Sequence, residues 1–228
     1  MTLHFNKRDL VTPGDLLAEG DYKAGENTYK VDDKIYATRV GLMDVRDNTV
    51  LVIALNSFYV PRVGDLVIGK VVDVSIGGWV VDIEAPYLAM LKASDVFGQS
   101  FRPYKDDLTK VFDAGDLLLA KIVAYDRTRN PLLTVRETGL GKITRGRVVK
   151  ITPSKVPRLI GKKGSMISLL KRGTGCQITV GMNGLILVSG KSAENEMLCV
   201  RAIRKIERES HVSGLTDRIA EMLKEAGK

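Results

Sequence analysis

The sequence predicts a multi-domain chain in which a β-rich N-terminal module is followed by an all-β barrel and then by an α+β domain. Two observations support this fold class. Short runs of β-branched and apolar residues, separated by turn residues, fill the first two thirds of the chain. Helical patterns appear only in the last third, on both sides of a Gly-X-X-Gly sequence.

The charge distribution separates the last third from the rest. Residues 1–60 hold 7 Lys/Arg and 9 Asp/Glu, residues 61–139 hold 10 and 11, and residues 140–228 hold 18 and 7. The net charge of +8 therefore comes from the C-terminal part. An excess of this kind fits a polyanionic partner such as a nucleic acid.

The N-terminal module is expected to span residues 1–60. Its predicted strands are residues 28–31, 34–40 and 49–55, with a hairpin turn at Asp47-Asn48 between the last two. The module lacks the cations and rings of an RNA site, so it is either a docking surface or a purely structural unit.

The second domain is expected to span residues 61–139 and to form a small closed barrel, which leaves no free sheet edge. A polar loop is expected at residues 98–113. The predicted strands are residues 65–74, 79–83, 87–91, 117–125 and 131–135.

The third domain is expected to span residues 140–228 with the order β-α-α-β-β-α. Pro153 suits the first turn of a helix, Gly173 would end the helix that follows the Gly-X-X-Gly sequence, and Asn183-Gly184 is a typical two-residue hairpin turn. The predicted strands are residues 145–151, 176–180 and 185–190, and a long helix follows Ser192.

The Gly-X-X-Gly sequence carries the chemistry of this domain. Gly161 and Gly164 let the backbone turn sharply and let a sugar-phosphate chain approach closely. The next helix begins at Ser165, so its free amides and the positive end of its dipole can face an anion. Lys162 and Lys163 add two positive charges at the same place.

Residues 142–228 resemble the KH family, on the motif Ile160-Gly161-Lys162-Lys163-Gly164-Ser165-Met166-Ile167 and the hairpin after it. The resemblance implies a loop that clamps the backbone of about four nucleotides of single-stranded RNA. The candidate RNA-binding residues here are Lys155, Arg158, Gly161, Lys162, Lys163, Gly164 and Ser165.

Residues 61–139 resemble the S1 family of OB barrels, on the spacing of Gly69, Val71, Val74, Gly78, Val81 and Asp82. The two aromatic positions of that family hold Gly77 and Val80, and its usual histidine is Lys92. Trp79 lies one position out of register, so it is either a stacking ring or a core ring. If this barrel contacts RNA, it is therefore expected to contact the RNA backbone, through Lys92, Lys121, Arg127 or Arg129.

The helix after Ser192 has two faces. Cys199, Ala202, Ile203 and Ile206 recur at core spacing. A basic stripe opposite them either binds a partner or is a solvated face paired with Glu196, Glu207 and Glu209. The stripe consists of Arg201, Arg204, Lys205 and Arg208.

The domain order resembles the archaeal RNA-binding cap subunit of the exosome, in the ribosomal-RNA-processing protein four family. The resemblance implies a non-catalytic protein that forms a trimeric cap on a phosphorolytic hexameric ring, binds the ring through its N-terminal module and guides RNA inward. A free-standing S1/KH RNA-binding regulator is the alternative.

No catalytic or cofactor site is expected. The adjacent carboxylates Asp32-Asp33 and Asp106-Asp107 point apart on an extended chain, and no Cys/His cluster has metal-ligand spacing. Cys176 and Cys199 are expected to be buried thiols. The absence of a long apolar run or a leader predicts a cytoplasmic protein without a membrane anchor.

Overall fold

The computed structural model describes residues 2–55, 58–98, 101–102, 105–126, 128–210, 212 and 214–226. The chain divides into two compact units, residues 1–57 and residues 58–228. None of the described helices is both long and apolar enough to cross a membrane.

The first unit is built from two four-stranded sheets. Their orders are β1-β3-β6-β5 and β2-β7-β8-β4. The strands are β1 Thr2–Leu3, β2 Leu10–Val11, β3 Leu16–Glu19, β4 Lys23–Ala24, β5 Thr28–Val31, β6 Lys34–Ala37, β7 Gly41–Arg46 and β8 Thr49–Ala54. The core between them is small, with Leu17, Ile35 and Met43 fully buried. The expectation of a β-rich module is confirmed.

The turn at Asp47-Asn48 is confirmed, but the expected strand before it was wrong. Both residues have positive φ angles, 43° and 66°. A two-residue hairpin turn needs positive φ at both central residues when its twist matches that of the flanking strands. The run 34–40 breaks after Ala37, and β6 pairs with β3 and β5 instead. The partner of β8 is β7, which begins at Gly41.

The second unit begins with a closed five-stranded barrel. Its strands are β9 Leu66–Ser75, β10 Gly78–Asp82, β11 Ala89–Lys92, β12 Leu117–Asp126 and β13 Arg129–Thr134. Pairing of β13 with both β11 and β12 closes the barrel. A short helix α1, Ala93–Phe97, follows β11. One further strand, β14 Gly141–Lys142, pairs with β12, so the barrel sheet extends beyond residue 139.

The remainder of the second unit has the expected β-α-α-β-β-α order, followed by one further helix. Its antiparallel sheet has the order β15-β17-β16. The elements are β15 Arg147–Lys150, α2 Val156–Ile160, α3 Ser165–Thr174, β16 Gln177–Val180, β17 Leu185–Ser189, α4 Ala193–Arg208 and α5 Leu215–Ala226. The helices cover one face of the sheet, and the expected apolar face of α4 is buried there. The multi-domain fold class is confirmed.

Two turn predictions in this domain were wrong. Gly173 does not end a helix: α3 continues to Thr174, and Gly175 with a φ of 66° ends it. A Cβ on Gly173 would lie 2.7 Å from Leu223 Cδ1, so this glycine allows α5 to pack closely. Asn183 lacks a positive φ. The hairpin loop is four residues long, from Gly181 to Gly184, and the Asn183 side chain forms hydrogen bonds outside the loop.

Asn183 lies at the junction between the barrel and the sheet of the last domain. The pairing of β10 with β9 ends at Lys70, which leaves the start of β9 open on that side. The hairpin loop occupies this edge: Met182 N donates to Leu66 O at 2.8 Å. The Asn183 amide donates to Ile68 O at 2.7 Å and to Ile83 O at 2.9 Å, and its side chain is 1% exposed.

Apolar packing and an ion pair extend the same junction. Ile68 and Leu119 of the barrel form one buried cluster with Leu185 of β17. Lys150 on β15 pairs with Glu84 of the barrel at 2.6 Å. The barrel and the last domain therefore form one continuous packed body within the second unit.

Candidate nucleic-acid interface

The loop between α2 and α3 is held by two glycines with positive φ angles. Gly161 has φ 74° and ψ 174°, and Gly164 has φ 78° and ψ 15°. A Cβ on Gly161 would lie 2.8 Å from Met166 N, whereas a Cβ on Gly164 would meet only Ile167 at 3.8 Å. Gly161 is therefore required both by its conformation and by the close approach of α3, and Gly164 only by its conformation.

Both lysines of this loop project into solvent. Lys162 and Lys163 are exposed, and neither forms an ion pair with any residue in the described part of the chain. Lys163 has a φ of 49°, which turns the loop tip outward. No carboxylate lies in the first turn of α3, and no side chain caps it. Positive charge, the N-terminal end of a helix dipole and an open surface thus coincide at the start of α3, where Gly164 N donates to Gly161 O and Ser165 N donates to Lys162 O.

The remaining candidates of this domain flank the same loop. Lys155 precedes α2 and is half-buried, Arg158 lies on α2 and is exposed, and Ser165 begins α3 and is exposed. The Arg158 guanidinium donates to Val212 O at 3.4 Å, which ties α2 to the segment before α5. All seven candidate positions therefore lie along one short stretch of the surface.

The barrel brings together two of its four candidates, and a third, Lys121, pairs with Glu137 at 2.7 Å. Lys92 at the end of β11 and Arg129 at the start of β13 line the same surface cavity of about 310 Å³, together with Met90, Tyr125 and Leu132. Both cations are exposed. Arg127 lies outside the described residues. Strand pairing between β11 and β13 explains why residues 37 positions apart in the sequence meet on one surface.

Trp79 is a core ring, which settles the alternative that the sequence left open. Its side chain is fully buried, and its indole N–H donates to Phe112 O at 2.8 Å. The ring packs edge-on against Phe112 and is stacked with Phe97. The Trp79 ring therefore cannot stack on a base, because it is buried and its N–H is already hydrogen-bonded.

Two tyrosines that sequence reasoning missed lie on the rim of the barrel. Tyr87 precedes β11 and is 51% exposed, and its ring centroid lies 6.3 Å from that of Tyr125 near the end of β12. Arg129 lines a second cavity with both rings. Each tyrosine borders a polar turn, but the sequence contains no periodic signal that relates the two positions.

The basic stripe on α4 is only partly neutralised by the three glutamates considered as its partners. Arg204 pairs with Glu207 at 3.2 Å, whereas Glu196 pairs with Arg147 and Glu209 with Arg218. Arg204 also donates to Lys150 O, so it joins α4 to β15. Among the described residues, Arg204 is the stripe residue that forms an ion pair with one of these glutamates.

Potential catalytic groups have structural roles. Asp106 accepts from the Arg102 amide, and Asp107 accepts from Thr109 at the start of a helical turn. Both cysteines are free and buried, as expected, and burial raises the pKa of Cys199 to about 12. Within the described residues, no three His, Cys, Asp or Glu side chains lie together as metal ligands would.

The fold and the loop define a protein that joins an S1-type barrel to a KH domain. Three family models match it: the exosome RNA-binding protein RRP4 N-terminal domain at residues 8–56, the RRP4 S1 domain at residues 58–124, and the KH domain at residues 146–194.

Curated relatives match nearly the whole chain. The exosome complex component Rrp4 of Pyrococcus horikoshii is 49% identical over 95% of this chain and 82% of its own length. Those of Thermococcus kodakarensis and Saccharolobus solfataricus are 48% and 47% identical, over 95% and 96% of this chain and 85% and 88% of their own lengths. The chain belongs to the Rrp4 family of exosome components.

A solved structure agrees with this assignment. It is a crystal structure described as that of an exosome complex RNA-binding protein. It is 45% identical to this chain, has a TM-score of 0.71, and the match covers 75% of this chain and 98% of the solved one.

Proposed function

We propose that the chain is a non-catalytic RNA-binding subunit of an exosome, which captures single-stranded RNA and guides its 3′ end towards the nuclease ring. The observation that carries this proposal is the loop at residues 161–164. It presents two exposed lysines beside the N-terminus of α3, whose first turn carries no carboxylate. Membership of the Rrp4 family supports the proposal.

The proposed RNA-binding residues fall into two groups. The KH group consists of the loop residues and their neighbours, Lys155, Arg158, Gly161, Lys162, Lys163, Gly164 and Ser165. The barrel group consists of Lys92, Arg127 and Arg129. In the first group, backbone amides and lysines would hold phosphates, so affinity should depend strongly on salt.

The KH group is tested by the double variant Lys162→Asp, Lys163→Asp. The glycines hold the loop conformation, so the variant should fold normally and lose most of its affinity for single-stranded RNA. Loss of two phosphate contacts should flatten the slope of log K against log salt by about 1.4, at ~0.7 per contact on single strands. Fluorescence anisotropy with a labelled RNA at several salt concentrations measures both.

A matched control lies at the other end of the same helix. Lys171 and Arg172 are adjacent and exposed, so Lys171→Asp with Arg172→Asp makes the same change in net charge away from the loop. This control should bind RNA with nearly the affinity of the unmodified chain. If the loop variant and the control lose affinity equally, the loop is not the binding site and only overall charge matters.

We also propose the division of labour that the sequence suggested. Residues 1–60 would bind a phosphorolytic hexameric ring, residues 61–139 would surround its entry as a trimeric cap, and residues 140–228 would capture RNA. The archaeal origin of the relatives supports a cytoplasmic site of action.

Affinity purification of the tagged chain from its native cells, followed by intact-mass measurement, tests this division. Equal numbers of the chain and two ring subunits are expected. A chain that purifies alone and still binds RNA would instead favour a free-standing RNA-binding regulator.

A further inference from the structure

Tyr87 and Tyr125 form a small aromatic surface on the rim of the barrel. Tyr87 comes from the loop between β10 and β11, and Tyr125 comes from the end of β12. Their centroids are 6.3 Å apart and their planes are inclined by 44°. Rings this close are in contact with each other, so a base cannot enter between them but can lie on the exposed face of the pair.

The surroundings of the two rings favour a nucleic acid over a neutral ligand. Arg129 lines a cavity with both rings, and Lys92 lines the adjoining cavity with Tyr125 and Arg129. Asp126 at the same rim is occupied, since it accepts two hydrogen bonds from Thr128 that shape the hairpin turn. Exposed rings beside cations are the combination by which proteins bind single strands without reading sequence.

The positions at which S1 barrels usually carry aromatic rings do not supply a stacking surface here. The family's two aromatic positions hold Gly77 and Val80, and Trp79 is buried. Tyr125 also packs against the barrel core, which orients it, whereas Tyr87 is half exposed. The pair therefore combines one ring held by the core with one ring whose face is open to a ligand.

We propose that the exposed face of the Tyr87–Tyr125 pair stacks one base of single-stranded RNA, while Arg129 and Lys92 contact the neighbouring phosphates. The proposal rests on the RNA-binding function proposed above and adds a base-stacking subsite to it. Because every base has an apolar face, this subsite would accept any base and would contribute affinity rather than sequence preference.

Tyr87 is the position to change, because its removal leaves the barrel core intact. Tyr87→Ala should weaken binding of single-stranded RNA by about 5- to 100-fold, the range that loss of one stacked base gives. The slope of log K against log salt should stay unchanged, since no phosphate contact is lost. Tyr87→Phe keeps the ring and should bind like the unmodified chain.

A matched control exists in the first unit. Tyr29 is also exposed and also lies beside a second tyrosine, Tyr36, at 5.4 Å. Tyr29→Ala should leave RNA affinity unchanged. A series of RNAs with a single abasic nucleotide at successive positions gives an independent readout, since the unmodified chain should lose affinity at one position and Tyr87→Ala should lose none there.

The outcomes separate this subsite from the general RNA-binding function. RNA affinity that depends on Lys162 and Lys163 but is the same in Tyr87→Ala would overturn the stacking proposal alone. Equal losses in Tyr87→Phe and Tyr87→Ala would also overturn it, because the hydroxyl and not the ring would then be responsible. No RNA binding by the unmodified chain would overturn the proposed function itself.

Discussion

Asn183→Ala should loosen the junction between the barrel and the KH domain. The Asn183 amide donates hydrogen bonds to Ile68 O and Ile83 O across this junction. Both contacts are buried, because the asparagine is 1% exposed. Alanine removes both donors and leaves the two carbonyl oxygens without this partner.

The magnitude follows from the cost of a buried polar group without a partner. Each such group costs about 1–3 kcal/mol, so two carbonyls give a loss of roughly 2–6 kcal/mol in the free energy of unfolding. For a unit of this size, 1 kcal/mol changes Tm by about 2–4 °C, so a decrease of about 4–24 °C is expected. The exposed asparagine Asn130 provides the control, and Asn130→Ala should change stability by less than about 0.5 kcal/mol.

Denaturant unfolding and amide hydrogen exchange together test this reasoning. Unfolding gives the loss of stability, and exchange at Met182 N, which donates to Leu66 O, shows whether the junction itself opens. Faster exchange at this amide, with slow exchange retained inside both domains, is expected. A variant with unchanged stability and unchanged protection of Met182 would refute the idea that Asn183 joins the domains.

Two further changes test the loop and the barrel. Gly161→Ala should unfold or distort the KH domain, because the added Cβ would meet the backbone of the next helix. Gly164→Ala should lower the free energy of unfolding by only about 1 kcal/mol, because of its positive φ. Melting curves of the two variants distinguish these effects. The pKa of Asp116 is lowered by the Asp113 amide and then by Lys142, so the stability it contributes is present above its unfolded pKa and is lost as pH falls through its folded pKa. Asp116→Asn should therefore be less stable than the unmodified chain at neutral pH and nearly equal to it in strongly acid solution, as unfolding curves across this range would show.

Much of the fold could be predicted because its signals are local. Alternating apolar residues and turn residues located all five barrel strands to within a few positions. The glycines and lysines of the KH loop are adjacent in sequence, so the loop was recognisable without any tertiary information. The buried face of α4 likewise followed from the spacing of Cys199, Ala202, Ile203 and Ile206.

What could not be predicted depends on contacts distant in sequence. Gly173 has the chemistry of a helix stop, and only the approach of Leu223 from α5 shows that close packing is its role. Asn183 has the chemistry of a hairpin turn, and its actual partners lie 115 and 100 residues away. Tyr87 and Tyr125 meet only because the barrel closes, so no sequence window contains both.

The buried junction has a consequence for the length of RNA that the chain can use. Because the barrel and the KH domain share buried contacts at this junction, we expect the fold to fix the distance from the loop at residues 161–164 to the barrel rim. An RNA strand too short to span this distance would reach only one of the two proposed sites, and a longer strand would gain the second at a high effective concentration. Affinity for RNA should therefore rise in a step as the RNA is lengthened. A fixed distance between the two sites predicts such a step, and a flexible linker does not.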